Sequence, residues 1–235
     1  MQRILLKLSG EVLAKDGDII SSIVLNQTID IIKSVLKKRI QLAIVIGGGN
    51  ILRGESFAKI GANKITGDHM GMMATVINGL AINDACLRND IKSSVMSAVA
   101  IGGGVASEVD FKVAKQKLSD GEVVIFVAGT GSPCFTTDSA ASLRAIEIGA
   151  DIIFKATSVD GVYTADPKKD HTATKYDKLS FDEAINKNLA IMDTSAFAMC
   201  RENNLDICVF NMTKDTTTLA RILDGEKLGT IISNN

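Results

Sequence analysis

Glu122-Val-Val-Ile-Phe-Val-Ala-Gly-Thr-Gly-Ser-Pro-Cys-Phe-Thr-Thr-Asp-Ser-Ala-Ala-Ser-Leu-Arg-Ala-Ile-Glu-Ile-Gly-Ala150 holds a strand, a loop and a helix in succession. Val123 to Val127 is a continuous apolar run rich in β-branched residues, the pattern of a strand buried on both faces in a parallel sheet. Gly129-Thr-Gly-Ser-Pro133 cannot extend that strand and must be a polar loop. Thr136, Thr137 and Asp138 are all N-cap types, and an alanine-rich helix follows to Gly149. In an open α/β sheet, the loop between a strand and the N-terminus of the next helix is where anionic ligands bind. An ordinary capped turn has the same outline. Few such turns, however, carry two glycines, the hydroxyls of Thr130, Ser132, Thr136 and Thr137, and an aspartate.

Outward from this unit, strands and helices keep alternating. Arg3 to Gly10, Gln41 to Ile46, Lys92 to Val99, Asp151 to Lys155, Ile207 to Phe210 and Gly229 to Ser233 read as strands. Helices are expected from Ser21 or Ser22 to about Lys38, from Gly67-Asp68 through Arg88, and from about Ser107 to Leu118. Others follow a capping box at Ser180-Phe-Asp-Glu183, a cap at Asp193 or Thr194, and Asp215. No linker or repeat interrupts the series. The expectation is one α/β domain over residues 1–235 with a mainly parallel central sheet.

Composition narrows the function. The net charge is −1, and neither a basic excess nor an acidic tail marks a nucleic-acid partner or a disordered region. Tryptophan is absent, which disfavours a stacking platform for single strands. No apolar run looks long enough to span a bilayer, and Met1 leads straight into a strand, so neither a membrane anchor nor a signal peptide is expected. Cys86, Cys134, Cys200 and Cys208 are scattered, and the chain has only two histidines. Reduced thiols packed as small hydrophobes in the cytoplasm fit this better than a zinc site.

Lys7 interrupts the apolar run of the first strand. It reads either as an edge lysine whose ammonium reaches water, or as a cation beside the Ser9-Gly10 turn that meets phosphate. Gly47-Gly-Gly-Asn-Ile-Leu-Arg53-Gly54 follows the second strand. Three glycines bring backbone N–H groups close to a ligand, and Arg53 adds a fork suited to phosphate. The spacing is not that of a dinucleotide fingerprint, and no Walker A sequence exists in the chain. Gly102-Gly-Gly104 has no basic residue close behind it and reads as a turn. Small residues at Gly71, Ala74, Gly79, Ala81 and Ala85 suggest that the Asp68 helix packs closely against another helix, in this chain or in a second subunit.

Five segments in this order resemble the bacterial uridylate kinases, enzymes of the amino acid kinase fold. They are Lys7-Leu-Ser-Gly10, Gly47 to Gly54, Gly67-Asp-His-Met-Gly-Met72, Gly129 to Asp138, and Lys155-Ala-Thr-Ser-Val-Asp-Gly-Val-Tyr-Thr-Ala-Asp-Pro167. The resemblance covers nearly the whole chain. It implies a three-layer α/β/α sandwich, a homohexamer, Mg²⁺ carried by ATP, and transfer of a phosphoryl group from ATP to UMP in pyrimidine nucleotide synthesis. It also implies roles. Lys7, Leu8, Ser9, Gly10, Gly49 and Arg53 would lie at the ATP phosphates, and Thr157, Tyr163 and Asp166 at the ATP nucleoside. Gly48, Asp68, Thr130, Gly131, Ser132, Pro133, Cys134, Phe135, Thr136 and Thr137 would hold UMP. Lys7, Arg53 and Asp138 would be catalytic, with Asp138 organising the lysines, and Lys155 and Asp193 are further candidates. Glu11 to Ile20 lacks the Gly-Phe-Gly-like segment of relatives activated by GTP, so GTP activation is not implied. Ser132 stands where many relatives have asparagine. Two other readings remain: a kinase of the same fold acting on a carboxylate or carbamate, and a nucleotide-binding regulator without catalysis.

Overall fold

A computed structural model describes residues 2–52, 61, 63–167, 169–187, 189, 191–213 and 215–234. In chain order these form β1 (Arg3–Leu8), α1 (Ser22–Leu36), β2 (Gln41–Ile46), α2 (Lys64–Leu87), β3 (Ser93–Ser97), β4 (Ser107–Glu108), α3 (Phe111–Ser119) and β5 (Val123–Val127). Then come α4 (Thr137–Ile148), β6 (Ile152–Thr157), β7 (Lys178–Ser180), α5 (Phe181–Asn186), α6 (Thr194–Glu202), β8 (Asp206–Asn211), α7 (Thr218–Leu223) and β9 (Thr230–Ser233). Nine strands among the described residues make one sheet, ordered β4-β3-β5-β2-β1-β6-β8-β9-β7. Neighbours are parallel except β8 and β9.

Alternate residues of the central strands feed two separate cores. Leu6, Leu8, Ile44 and Ile46 pack with Ile32 of α1 and Val76 and Ile82 of α2. Leu5, Ala43 and Val45 point the other way, onto Ala141 and Ala145 of α4 and Phe197 of α6. Both faces of the sheet are therefore covered, and the architecture is the expected helix–sheet–helix sandwich. From β1 the chain moves to β2 on one side, and from β5 it returns across β2 and β1 to β6 on the other. Such a change of direction leaves a crevice at the carboxyl ends of the central strands.

Local chemistry moved several boundaries. The long helix starts at Lys64, because the Asn63 side chain accepts the N–H groups of Ile65 and Thr66. Asp68 is therefore no cap and sits in the second turn. The helix expected from Ser107 begins only at Phe111, where Asp110 accepts the N–H groups of Lys112 and Val113. Ser107 and Glu108 instead pair with β3 at the sheet edge. α7 begins at Thr218 rather than at Asp215.

α2, contrary to expectation, is long and apolar enough to cross a membrane. Half of its most apolar window is buried inside the protein, as for a helix of the core. Its small residues Ala74, Gly79 and Ala85 are buried within this chain, and a Cβ at Gly79 would collide with Val127 of β5. The outward face carries Met70, Met73 and Ile77 instead.

Candidate active site

The register of the sheet creates the central feature. Lys7 of β1 lies directly beside Lys155 of the adjacent parallel strand β6. Lys7 is 9 % exposed in the middle of the sheet, so it is not an edge lysine reaching for water. Two buried ammonium groups side by side repel and need a counter-charge. Asp138, in the first turn of α4, supplies it. Its Oδ1 lies 2.8 Å from Lys7 Nζ, and its Oδ2 accepts a hydrogen bond from Lys155 Nζ at 2.7 Å. Lys155 also donates to the Ile191 carbonyl. Burial pushes the Lys155 ammonium below the usual lysine range. The Asp138 carboxylate opposes that shift, and neighbouring Lys7 adds to it. Two cations on one carboxylate leave a local positive charge, suited to an anion.

Asp193 forms the next layer. It caps α6 by accepting the Ala196 N–H at 2.8 Å, and it accepts the hydroxyls of Thr136, Ser139 and Ser195. Burial acts to raise its pKa. The hydrogen bonds from Ser195, Thr136, Ala196 and Ser139 outweigh that and hold the carboxyl below the usual range. Thr136 in turn caps α4, its oxygen accepting the N–H groups of Asp138 and Ser139. Asp193 thus fixes the hydroxyl that starts the helix bearing Asp138.

A cleft of about 300 Å³ opens on one side of this cluster. Gly48 and Gly49, Asp68, Gly129 and Thr130, Ser132, and Phe135 to Thr137 line it, with Leu52 of the turn after β2 and Gly67, Gly71, Met72 and Thr75 of α2. Asp68 Oδ2 accepts the Cys134 N–H at 2.8 Å, joining α2 to the loop after β5. That loop is unusual in its backbone. Ala128 and Cys134 both take positive φ, 60° and 69°, a conformation uncommon for residues with a Cβ. The buried Ala128 N–H is satisfied by Thr75 Oγ1 at 2.7 Å. Gly131 and Pro133 lie in the same loop between these two turns.

Gly48 and Gly10 are required by close approach. A Cβ on Gly48 would lie 2.7 Å from Ala74 Cβ of α2. One on Gly10 would lie 2.7 Å from both Gly47 O and Gly49 N. The turns after β1 and β2 therefore pack closely, backbone against backbone, with the Asn50 side chain also against Gly10. Leu8 is fully buried, so only its backbone faces the turn, and the Ser9 hydroxyl accepts the Glu11 N–H at 3.3 Å.

A second cleft, about 490 Å³, lies at the ends of β6 and β8. Thr157, Tyr163 and Asp166 line it together, with Val159, Gly161 and Ile191. The Tyr163 hydroxyl donates to Asp160 at 2.8 Å. The cluster sits between the clefts: Asp138 follows Thr137 of the first, and Lys155 binds the carbonyl of Ile191 of the second. Arg53, assigned to the phosphates from the sequence, lies outside the described residues.

The sequence did not single out Asn78. It is fully buried in α2, donates to Gly47 O at 2.7 Å, and pairs with Asn50. The signal was one amide on an otherwise apolar helix face.

The comparisons agree with one another. The amino acid kinase family model matches residues 2–211. The uridylate kinase of Ruthia magnifica subsp. Calyptogena magnifica is 60% identical over 231 residues, covering 98% of this chain and 97% of that protein. The uridylate kinase of Shewanella amazonensis is 51% identical, over 98% of this chain and 95% of its own length. The crystal structure of UMP kinase from Bacillus anthracis superposes with a TM-score of 0.96 at 35% identity, covering 100% of this chain and 96% of that one. That from Ureaplasma parvum gives 0.93 at 38% identity, covering 99% and 98%. The chain belongs to the amino acid kinase family and, within it, to the uridylate kinases.

Proposed function

We propose that this protein transfers the γ-phosphoryl group of Mg-ATP to UMP, giving UDP and ADP. The observation that carries the reading is the buried Lys7–Asp138–Lys155 bridge between two clefts. In this reading an oxygen of the UMP phosphate attacks Pγ, the bond from Pγ to the β,γ-bridging oxygen breaks, and ADP leaves. Both reactants are polyanions, so catalysis consists of alignment and charge neutralisation. Lys7 and Lys155 face the transferring phosphoryl group, and Asp138 holds both in place. The Gly10 and Gly47–Gly49 turns present backbone N–H groups, and Arg53 adds a fork. UMP fills the cleft lined by Asp68, Thr130, Ser132 and Phe135 to Thr137, where the Ser132 hydroxyl meets the uracil edge. The ATP nucleoside fills the cleft of Thr157, Tyr163 and Asp166.

Both Asp138 oxygens face ammonium groups, so this carboxylate is not offered to a cation. Mg²⁺ enters with ATP and supplies further charge neutralisation on its phosphates. The same reading takes residues 1–235 as one domain, places the protein in the cytoplasm, and assembles it as a homohexamer through the outward face of α2.

A coupled ADP-release assay tests it, with UMP set against glutamate, aspartate and carbamate. Turnover with UMP alone is expected. Turnover with a carboxylate would move the protein to another kinase of this fold, and ATP binding without turnover would make it a regulator.

A further inference from the structure

Asn78 is the one residue of α2 whose side chain reaches the glycine turn after β2 by hydrogen bonds among the described residues. Its Nδ2 donates to Gly47 O at 2.7 Å and to Asn50 Oδ1 at 2.7 Å. Asn50 answers, donating from Nδ2 to Asn78 Oδ1 at 3.0 Å and to Ile19 O at 2.8 Å. Each amide nitrogen has two hydrogens, and all four are used. The orientation of both amides is thereby set. Turning Asn78 over would place its oxygen against the Gly47 carbonyl, and turning Asn50 over would do the same at Ile19. The pair is buried at the Asn78 end, where an unmatched polar atom is costly.

The consequence is mechanical. Gly47 O cannot move without breaking a buried bond, and Gly10 packs against the Gly47 carbonyl and the Gly49 nitrogen. Through Ile19, the same pair anchors the loop that leads from the turn after β1 to α1. We infer that Asn78 is a positioning residue for phosphoryl transfer: locked to Asn50, it fixes the Gly47–Gly49 turn and couples it to the loop ending at Ile19. This rests on reading that turn as part of the phosphate site. In-line transfer is sensitive to displacements of about 1 Å, so loosening the turn should cost rate more than affinity.

Asn78→Asp is the test, because it keeps size and removes both donors. With circular dichroism confirming a folded variant, kcat for UMP phosphorylation should fall at least tenfold while KM for UMP and for ATP stays within threefold. Hydrogen exchange should quicken in the peptides covering residues 44–52 and 14–20 together. A kcat within twofold of the parent, or unchanged exchange in residues 14–20, overturns the inference. If Asn78→Asp does not fold, Asn50→Asp replaces it: this removes the Nδ2 bonds to Ile19 O and Asn78 Oδ1 and retains the Asn78 bond to Gly47 O. It should quicken exchange at residues 14–20 and lower kcat threefold or more, and parental behaviour in both measurements overturns the inference. Should the parent itself fail to phosphorylate UMP, the functional reading is wrong, while the exchange data still decide the coupling.

Discussion

Asp68 Oδ2 accepts the backbone N–H of Cys134 at 2.8 Å, so a residue in the second turn of α2 holds the loop that follows β5. Cys134 has φ of 69°, so the contact falls at a left-handed residue of that loop. Asp68 therefore both lines the first cleft and shapes its opposite wall. The two roles separate by substitution. An asparagine at this position can still accept the Cys134 N–H but carries no charge, whereas alanine loses both. Asp68→Asn is expected to raise KM for UMP by a few-fold, and Asp68→Ala by at least tenfold, with KM for ATP little changed. Equal KM values for the two variants would deny the loop contact a role.

Lys7 should matter for rate, not for folding. Its ammonium is buried at the centre of the sheet with one carboxylate shared by two lysines. Lys7→Met keeps the length and leaves Asp138 paired with Lys155. The expected loss is at least about 100-fold in kcat, roughly 2.7 kcal/mol of transition-state stabilisation. Near-parental turnover in a folded Lys7→Met variant would remove Lys7 from the mechanism.

The sequence made much of this legible and left some of it hidden for physical reasons. Apolar runs and glycine turns marked the strands at the centre of the sheet, because strands buried on both faces need them. Lys7 and Lys155 each stood out as a charge at a strand end. Their adjacency did not, since it depends on the β1–β6 register, which no local pattern encodes. The cap of α2 was misplaced because Gly67-Asp68 resembles a helix start more strongly than Asn63 does, yet Asn63 has the side chain in place. β7 passed unnoticed: three residues, Lys178 to Ser180, are too few to show alternation. Asn78 carried no signal beyond its polarity, because its meaning lies in the turn it touches.

Asp193 predicts a pH dependence of stability. Burial acts to raise its carboxyl, but the hydroxyls of Ser195, Thr136 and Ser139 and the Ala196 N–H prevail and hold it below the ordinary value of 3.8. A depressed pKa means that the unfolded chain binds the proton first on acidification. The stabilisation is thus fully present above pH of about 4 and lost as pH falls through the folded value. Asp193→Asn should lower Tm at pH 7, and the gap to the parent should narrow steadily below pH of about 4. A gap that stays constant from neutral pH down to that acidic range would contradict the assignment of these bonds.

Assembly gives a further check. Ala74, Gly79 and Ala85 are used inside the chain, and Met70, Met73 and Ile77 form an exposed apolar stripe along the middle of α2 for a partner, with Ile65 and Leu87 exposed at its ends. Met73→Asp and Ile77→Glu put charges on that stripe, where burial against a mate would be costly. Sedimentation should show the parent near six chains and the double variant at a smaller size. A parent that stays monomeric at micromolar concentration would rule out the proposed assembly.

The proton inventory supplies the last prediction. An alcohol acceptor would need a general base, because a hydroxyl is a poor nucleophile at neutral pH. A nucleoside monophosphate has a second pKa of about 6 and is already mostly a dianion at neutral pH. The site matches that economy: Lys7, Lys155 and the glycine turns supply charge and donors, and neither histidine lines either cleft. His69 and His171 are both exposed. The acidic limb of kcat/KM for UMP should therefore follow protonation of the substrate's phosphate and not of the enzyme. His171→Gln and His69→Gln should keep kcat within roughly tenfold of the parent, a span of about 1.4 kcal/mol. His69 is the more demanding case, since it adjoins Asp68 on α2 and shares its turn. The measurement is the pH–rate profile of both variants beside the parent. A variant that loses the acidic limb together with most of its kcat would reveal a histidine base, and transfer by alignment and charge neutralisation alone would then be wrong.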